Sequence, residues 1–233
     1  MTGTHSRWPG ARLTASVGLA LGAGLLTGLA LTRPRLRRLQ NDNRRHQRDL
    51  RHWEWRAHHD PLTGLLNRAG LNRHLDEHDG QLGTVVLIDL DEFKPLNDTH
   101  GHRAGDALLT VLGQRLARAA TSTRGLAARL GGDEFLLALP PATPASDVEA
   151  ILDTLTTATG LMVGELIVDI RPALSAGLAR RNGHSWTDTL HHADLALYAA
   201  KREPHRRLAL YTPHMRRAGA SQPPRRLRDA RRP

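Results

Sequence analysis

The chain has 233 residues, with 33 Lys and Arg against 23 Asp and Glu, a formal charge of +10 at pH 7 and no cysteine. Without cysteine it has neither disulfides nor thiolate metal sites. The basic excess lies mainly in two arginine-rich stretches, residues 33–56 and 216–232, aromatic residues make up only 3% of the chain, and no basic recognition helix is present, so we expect no nucleic-acid partner.

A membrane-spanning helix is predicted at residues 13–32, after a short N-terminal segment, residues 1–12. Leu13–Leu31 has no charged residue and consists mostly of Leu, Ala, Gly and Val, and its length is about that needed to cross the hydrocarbon core of a bilayer. A cleaved signal peptide is the competing interpretation. Arginines are concentrated after this segment, at Arg33, Arg35, Arg37, Arg38, Arg44 and Arg45, with only Arg7 and Arg12 before it. This asymmetry predicts a single-pass protein of the cytoplasmic membrane with its C-terminal side in the cytoplasm and inner-membrane lipids as partners.

A basic linker helix is predicted at residues 33–58. Steps of three and four residues alternate along it, at Leu36, Leu39, Asn43, His46, Leu50, Trp53 and Ala57. This is the a/d rhythm of a short coiled coil, although the middle of the pattern is polar. A basic, solvated spacer helix is the alternative interpretation, and the sequence does not choose between the two.

One folded domain is predicted at residues 59–212, before a disordered basic tail at residues 213–233. Its first strand is Thr84–Asp91, an unbroken apolar run that ends in acids and suits a central strand covered on both faces. Alternation places Asp89 and Asp91 on one side of this strand and Leu90 on the other. Taken alone, these acids are also compatible with a simple strand end.

A tight hairpin is predicted from two strands, Leu126–Leu130 and Phe135–Leu139, joined through Gly131-Gly132. The glycines supply the positive φ angles that such a turn demands. Asp133 and Glu134 then lie at the mouth of the hairpin, where adjacent carboxylates repel each other unless a cation or donor is near. Asp89 can meet Asp133 only if the hairpin pairs beside the first strand, and oxygen ligands of this kind favour Mg²⁺ or Mn²⁺.

The remaining elements are amphipathic helices and a further strand. One helix carries Leu108, Leu112 and Leu116 on its buried face, and another is predicted to open with a capping box, Ser146-x-x-Glu149. A strand is predicted within Leu166–Ala179. The last helix starts at Ser185-x-x-Asp188, with an inward stripe at Trp186, Leu190, Ala193 and Leu197. The fold class is therefore α/β (α+β), with a palm-like, mainly antiparallel central sheet flanked by helices.

Several ordered motifs lie between about Asp60 and Tyr211. They are Asp60–Arg68, Asp89–Lys94, Asn97-Asp98, Gly101-His102, Gly105-Asp106, Gly131–Phe135 and Ala193–Lys201. Together they resemble the GGDEF-domain diguanylate cyclases, and their shared order makes a chance match implausible. The resemblance implies synthesis of cyclic di-GMP from two GTP molecules by a homodimer, since each domain holds one GTP. GTP chemistry belongs in the cytoplasm, which favours the membrane-anchor interpretation over the signal peptide.

The resemblance also implies the roles of individual residues. Asp89 and Asp133 would hold divalent metal ions with the backbone carbonyl of Leu90, and Glu134 would assist catalysis beside them. Nucleotide binding would involve guanine recognition by Asn97 and Asp106 near His102, phosphate contacts around Phe93 and Lys94, and a triphosphate contact from Lys201. The residue type at position 106 suits guanine, because one carboxylate can accept two donors from guanine N1 and N2, whereas adenine offers no such pair.

The chain departs from the family pattern at two places. Many members carry Arg-x-x-Asp ahead of the signature as a product-inhibition site, and here those positions are Ser122 and Gly125. We therefore expect that site to be missing. His205 stands where the family often has a phosphate-contacting arginine. A catalytically silent GTP-binding domain that signals through protein contacts is thus the alternative function. In either case, any sensory input would have to come from an unidentified partner or from the bilayer.

The paired histidines, His58-His59 and His191-His192, have no acid or thiol partners at metal-ligand spacing. We expect them at the surface rather than in a zinc site.

Overall fold

The computed structural model describes residues 44–78, 80–163, 166–203 and 206–215. The predicted membrane span, His205 and the tail from residue 216 lie outside these ranges. Within them, no helix combines the length and the apolar character needed to cross a membrane. The chain divides into two compact units, Met1–Glu54 and Trp55–Pro233.

The predicted linker helix is helical wherever it is described. Helix α1 covers residues 44–58, and its large apolar side chains are open to solvent, with Leu50 63% and Trp53 67% exposed. This exposure is compatible with both predicted interpretations, a coiled-coil face awaiting a partner or a spacer.

The described part of the second unit contains five helices, a five-stranded sheet and two further strands that form a separate hairpin. In chain order the elements are α2 (Arg68–Glu77), β1 (Thr84–Asp91), α3 (Phe93–His100), α4 (His102–Thr123), β2 (Leu126–Gly131), β3 (Glu134–Leu139), α5 (Ala145–Leu155), β4 (Thr159–Val163), β5 (Leu166–Ile170), β6 (Ala173–Arg180), α6 (Trp186–Arg202) and β7 (Leu208–Leu210).

The central sheet is built around β1, as the apolar run predicts. The strand order is β2-β3-β1-β6-β7, and all neighbours are antiparallel except β6 and β7. Every residue of β1 before Asp91 is buried, because helices cover both faces of the sheet. The sheet is thus mixed and mainly antiparallel, and the predicted fold class is confirmed at this level.

Alternation along β1 separates two apolar cores. One face sends Ile88 and Leu90 toward α4 and α5, in a core that also contains Phe135. The opposite face sends Val85 and Leu87 into a core shared with α2 and α6. Asp89 has the parity of Val85 and Leu87, so its side chain belongs to the α2 and α6 face of the sheet.

Three sequence predictions need correction. Helix α3 was not predicted; it covers Phe93–His100, before the helix that carries Leu108. The single strand expected within Leu166–Ala179 is two strands, β5 and β6, separated by Arg171 and Pro172. Helix α5 begins at Ala145 with Pro144 as its N-cap, and its side chains form no capping box, because Ser146 bonds to Asp147 instead.

The opening of the second unit is fixed to the hairpin by an ion pair. The guanidinium of Arg129 in β2 donates to both carboxylate oxygens of Asp60, at 3.0 and 3.2 Å, and to the carbonyl oxygen of Gly132, at 3.0 and 2.7 Å. Asp60 also accepts from the amide and the hydroxyl of Thr63, at 2.9 and 2.7 Å. A loop at the start of the domain therefore supports the turn that follows Gly131.

Opposing influences set the pKa of Asp60. Its burial disfavours the charged form, but the hydrogen bonds from Thr63 and Arg129 outweigh this, and the pKa lies below its ordinary value. A carboxylate whose pKa is lower in the folded state stabilises the fold above its unfolded pKa. That contribution is lost as the pH falls through the folded pKa.

Asp60→Asn should therefore lower the free energy of unfolding at pH 7 by about 2–3 kcal/mol, because it removes charged hydrogen bonds from a mostly buried guanidinium. The difference between the parent and the variant should stay constant from pH 7 to about pH 5 and shrink below about pH 4. Denaturant titrations at a series of pH values measure both quantities.

Glu77→Gln is the matched control, since Glu77 pairs with Arg73 on an exposed helix face, where such pairs contribute little. A pH-independent difference between the parent and Asp60→Asn would contradict the assignment.

Candidate active site

Asp89 lies at the end of β1, beside the hairpin turn. Its side chain is 4% exposed, its Cα is paired with that of Glu134 across the β1–β3 ladder, and the next amide, that of Leu90, donates to the carbonyl oxygen of Asp133 at 3.3 Å. The hairpin therefore does pair beside the first strand, which is the condition on which a shared site for Asp89 and Asp133 depends.

The hairpin turn has the predicted backbone conformation but is displaced by one residue. Gly131 and Gly132 have φ angles of 145° and 55°, values that favour glycine. Gly131 is still part of β2 and pairs with Glu134, after a register shift that begins at Arg129. The turn proper is thus Gly132-Asp133, which puts Asp133 at the tip and Glu134 at the first position of β3.

Lys201 in α6 reaches the same point from the opposite side. Helix α6 packs so closely on β6 that a Cβ at Gly177 would lie 2.2 Å from the Ala193 carbonyl oxygen. This approach lets the Lys201 ammonium donate to the Asp89 carboxylate in an ion pair. The contact of Lys201 with a triphosphate stays a prediction.

The residues at this point suit a hard divalent cation. A buried carboxylate requires a positive charge close by, and the Lys201 ammonium supplies one where a metal ion would otherwise bind. The available donors are oxygens, from Asp89 and Asp133 with the carbonyl of Leu90, as Mg²⁺ and Mn²⁺ prefer. Across the described residues, no group of three or more His, Cys, Asp or Glu side chains is arranged to hold a metal. Part of the coordination shell would therefore come from water and substrate phosphates.

Asp91 has a different environment, although it shares a face of β1 with Asp89. The hydroxyl of Ser175 in β6 donates to its carboxylate oxygens, at 3.0 and 3.1 Å. Asp91 thus links β1 to β6, and this contact explains the presence of the Asp91 carboxylate in structural terms.

A second part of the site lies where α3 meets α4. Gly105 allows the contact, because a Cβ there would lie 2.0 Å from Asn97 Oδ1 and 3.1 Å from Phe93. Asn97 Oδ1 is buried and has no hydrogen-bond partner among the described residues, a condition that a bound ligand would relieve. Of the predicted guanine-reading residues, Asn97 thus lies against Gly105, the residue before Asp106, while Asp106 and His102 are exposed near the start of α4.

The predicted phosphate-contacting residues occupy the first turn of α3 rather than a loop. Phe93 and Lys94 begin this helix directly after Glu92, whose φ angle of 56° turns the chain from β1. A helix N-terminus presents free amides and a partial positive charge, which suits phosphate. Lys94 is exposed.

Sequence reasoning missed the supporting role of Arg129 and misplaced one histidine. Arg129 lies close to the glycine pair, but its partner Asp60 is 69 positions away, so spacing gave no signal. His192 was expected at the surface and is instead 1% exposed, with its ring stacked on Tyr211 at a centroid distance of 4.0 Å. Its position beside Ala193 on the inward face of α6 explains the burial.

Comparisons with known proteins show which family the chain resembles. Residues 57–207 match the family described as Diguanylate cyclase, GGDEF domain. Diguanylate cyclase TpbB of Pseudomonas aeruginosa is 38% identical over 186 residues, which cover 74% of this chain and 40% of TpbB. An uncharacterized 19.3 kDa protein of Streptomyces ambofaciens is 42% identical over 62% of this chain and 79% of its own length. The chain thus spans less than half the length of TpbB.

Solved structures show the same fold. The coiled coil and GGDEF domain of DgcB from Caulobacter crescentus, in complex with c-di-GMP, gives a TM-score of 0.64 at 30% identity and covers 76% of this chain and 97% of that one. Diguanylate cyclase SiaD of Pseudomonas aeruginosa, in complex with its activator SiaC, gives a TM-score of 0.58 at 29% identity. This match covers 86% of this chain and 82% of the SiaD chain. On the match over residues 57–207, the chain belongs to the GGDEF-domain family of diguanylate cyclase enzymes.

Proposed function

We propose that this chain condenses two GTP molecules into cyclic di-GMP and releases a pyrophosphate from each. The observation that carries the proposal is the buried Asp89, which lies beside the Asp133 turn and is already neutralised by a cationic group, Lys201. Phosphoryl transfer asks mainly for alignment and charge neutralisation. The end of β1 offers both.

In this proposal Asp89, Asp133 and the carbonyl of Leu90 hold Mg²⁺ or Mn²⁺. When bound, the cation neutralises triphosphate charge and acidifies the attacking ribose hydroxyl. Asp133, Glu134 or a bound water would accept the hydroxyl proton. Asp133 lies in the turn beside Asp89, and Glu134 is opposite Asp89 at the first position of β3. Lys201, which pairs with Asp89 in the absence of metal, would then be available to contact the triphosphate.

Guanine would enter the contact between α3 and α4. Asn97 offers an acceptor that is buried without a partner, and Asp106 offers a carboxylate for guanine N1 and N2, with His102 nearby. The first turn of α3, with Phe93 and Lys94, would hold phosphates. These roles support GTP over ATP, since adenine would leave the Asp106 carboxylate unmatched.

A complete reaction would need two domains facing each other, because each holds a single GTP. Exposed Leu50 and Trp53 on α1 offer apolar surface for pairing two copies, and the related DgcB structure includes a coiled coil. The apolar segment at residues 13–32, with the arginines after it, supports an anchor in the cytoplasmic membrane. A sensory protein partner remains part of the proposal, as SiaD has an activator.

Product inhibition at the usual family position is proposed to be absent. The Ser122 hydroxyl is bonded to the Ala119 carbonyl within α4. At Gly125 a Cβ would lie 2.4 Å from the Ala138 carbonyl oxygen, so a side chain there has no room without movement of β3. Neither position supplies the charged groups needed to clamp a guanine.

The activity is tested by incubating the purified full chain, in mild detergent, with GTP and Mg²⁺ and separating the nucleotides by chromatography. We expect cyclic di-GMP from the parent and a loss of at least about 100-fold for Asp133→Ala, which removes a metal ligand. Asp91→Ala is the matched control and should retain activity if the protein stays folded.

Binding of GTP without product, even at high protein concentration, would favour the silent signalling module instead. Production of cyclic di-GMP by Asp133→Ala would contradict the assignment of this turn.

The ion pair predicts how metal and stability are linked. Lys201→Met should destabilise the metal-free protein by about 1–3 kcal/mol, because a buried carboxylate loses a charged partner. Mn²⁺ should then raise the melting temperature of Lys201→Met more than that of the parent, since the metal no longer competes with an ammonium.

Thermal melts with and without Mn²⁺ measure how far the metal raises the melting temperature of each protein. Arg202→Met removes a neighbouring charge from the same helix end and is the control, because Arg202 lies over Tyr198 rather than at Asp89. Equal metal stabilisation of the parent and Lys201→Met would show that lysine and metal do not share Asp89.

A further inference from the structure

Asn67 makes an unusual set of hydrogen bonds between the end of α1 and the start of α2. Its side-chain amide donates to the carbonyl oxygens of Ala57, at 3.0 Å, and His59, at 3.3 Å. Its backbone amide donates to the intervening carbonyl of His58, at 2.9 Å. Asn67 Oδ1 meanwhile accepts from the Gly70 amide at 2.9 Å and caps α2. One residue therefore ties consecutive carbonyls at the end of α1 to the first turn of α2.

The two helices approach each other closely at this joint. A Cβ at Gly70 would lie 2.1 Å from the His58 carbonyl oxygen, so the end of α1 rests directly on the backbone of α2. Displacing the end of α1 therefore requires breaking the Asn67 hydrogen bonds.

The joint continues into the hairpin that carries Asp133. Leu66, next to Asn67, accepts from the Arg129 amide at 2.8 Å and donates to the Ala127 carbonyl oxygen at 3.3 Å. The Arg129 side chain in turn donates to the Gly132 carbonyl oxygen, at 2.7 and 3.0 Å. A path of hydrogen bonds, completed by the peptide bond between Leu66 and Asn67, thus runs from the end of α1 through Arg129 to the residue before Asp133.

We propose that Asn67 is a positioning residue, which transmits the placement of the end of α1 to the Gly132-Asp133 turn and so sets the turnover rate. The inference rests on the proposed cyclase activity and adds to it a route by which changes in α1 reach the site. Asn67 lies outside the α3–α4 contact proposed for guanine, so GTP affinity should be independent of it.

The chemistry of the asparagine allows its two functions to be separated. Asn67→Asp keeps the oxygen that caps α2, since aspartate is an equally good N-cap, but loses both donors to the α1 carbonyls. Asn67→Ser also keeps a capping oxygen and adds no charge. Asn72→Asp makes the same chemical change at an exposed position of α2 and is the matched control.

Two measurements on the full chain test the proposal. In steady-state kinetics, Asn67→Asp and Asn67→Ser should lower kcat at least about 10-fold with KM for GTP within about 2-fold, because misplacement of a reacting group slows chemistry without weakening ground-state binding. In hydrogen–deuterium exchange followed by mass spectrometry, both variants should exchange faster at residues 57–70 and also at residues 126–134. Asn72→Asp should match the parent in both measurements.

Faster exchange confined to residues 57–70, or an unchanged kcat in both Asn67 variants, would overturn the proposal. A rise in KM equal to the loss in kcat/KM would do the same, since it indicates weaker GTP binding and not a misplaced reacting group. If the parent itself makes no cyclic di-GMP, the proposed function fails, while the exchange measurement still decides whether Asn67 is coupled to the hairpin.

Discussion

The structure depends on burying the Asp89 carboxylate at the end of its central strand. Desolvating a carboxylate is costly unless a cation compensates it, and β1 is covered on both faces, so water cannot supply that compensation. The antiparallel pairing of β1 with β3 brings the Asp133 turn to the same point, and the seating of α6 on Gly177 brings Lys201. The core packing of this domain thereby brings together the groups that we propose to bind a cation.

A second set of contacts supports the Gly132-Asp133 turn and involves residues outside the proposed substrate site. Arg129 holds the Gly132 carbonyl and the Asp60 carboxylate together, and Asn67 holds the end of α1 against α2. Both contacts involve the loop that follows α1. The hairpin is therefore supported by the segment through which the chain enters the domain, which is a reasonable place for control by a partner or by dimerisation.

The sequence predicts the parts of this site that obey local rules. The apolar run of β1, the positive φ angles of Gly131 and Gly132, and the Ser185 cap of α6, which accepts from Asp188 at 3.0 Å, are all visible as short patterns. Helix α3 is not, because Phe93–His100 has only eight residues, contains a proline and buries none of them fully, so it offers too few apolar positions for a helical period to be recognised. The Asp60–Arg129 pair and the burial of His192 depend on contacts between distant segments, which spacing cannot show. The pairing of Lys201 with Asp89 likewise required the packing of α6 on β6.

Manganese binding followed by electron paramagnetic resonance tests the central claim most directly. The parent, Asp89→Asn and Asp91→Asn would be titrated with Mn²⁺ in the presence of a saturating, non-hydrolysable GTP analogue. We expect Asp91→Asn to bind Mn²⁺ like the parent, because Asp91 is engaged by Ser175, and Asp89→Asn to bind at least about 10-fold more weakly. Equal binding by Asp89→Asn and the parent would contradict the account.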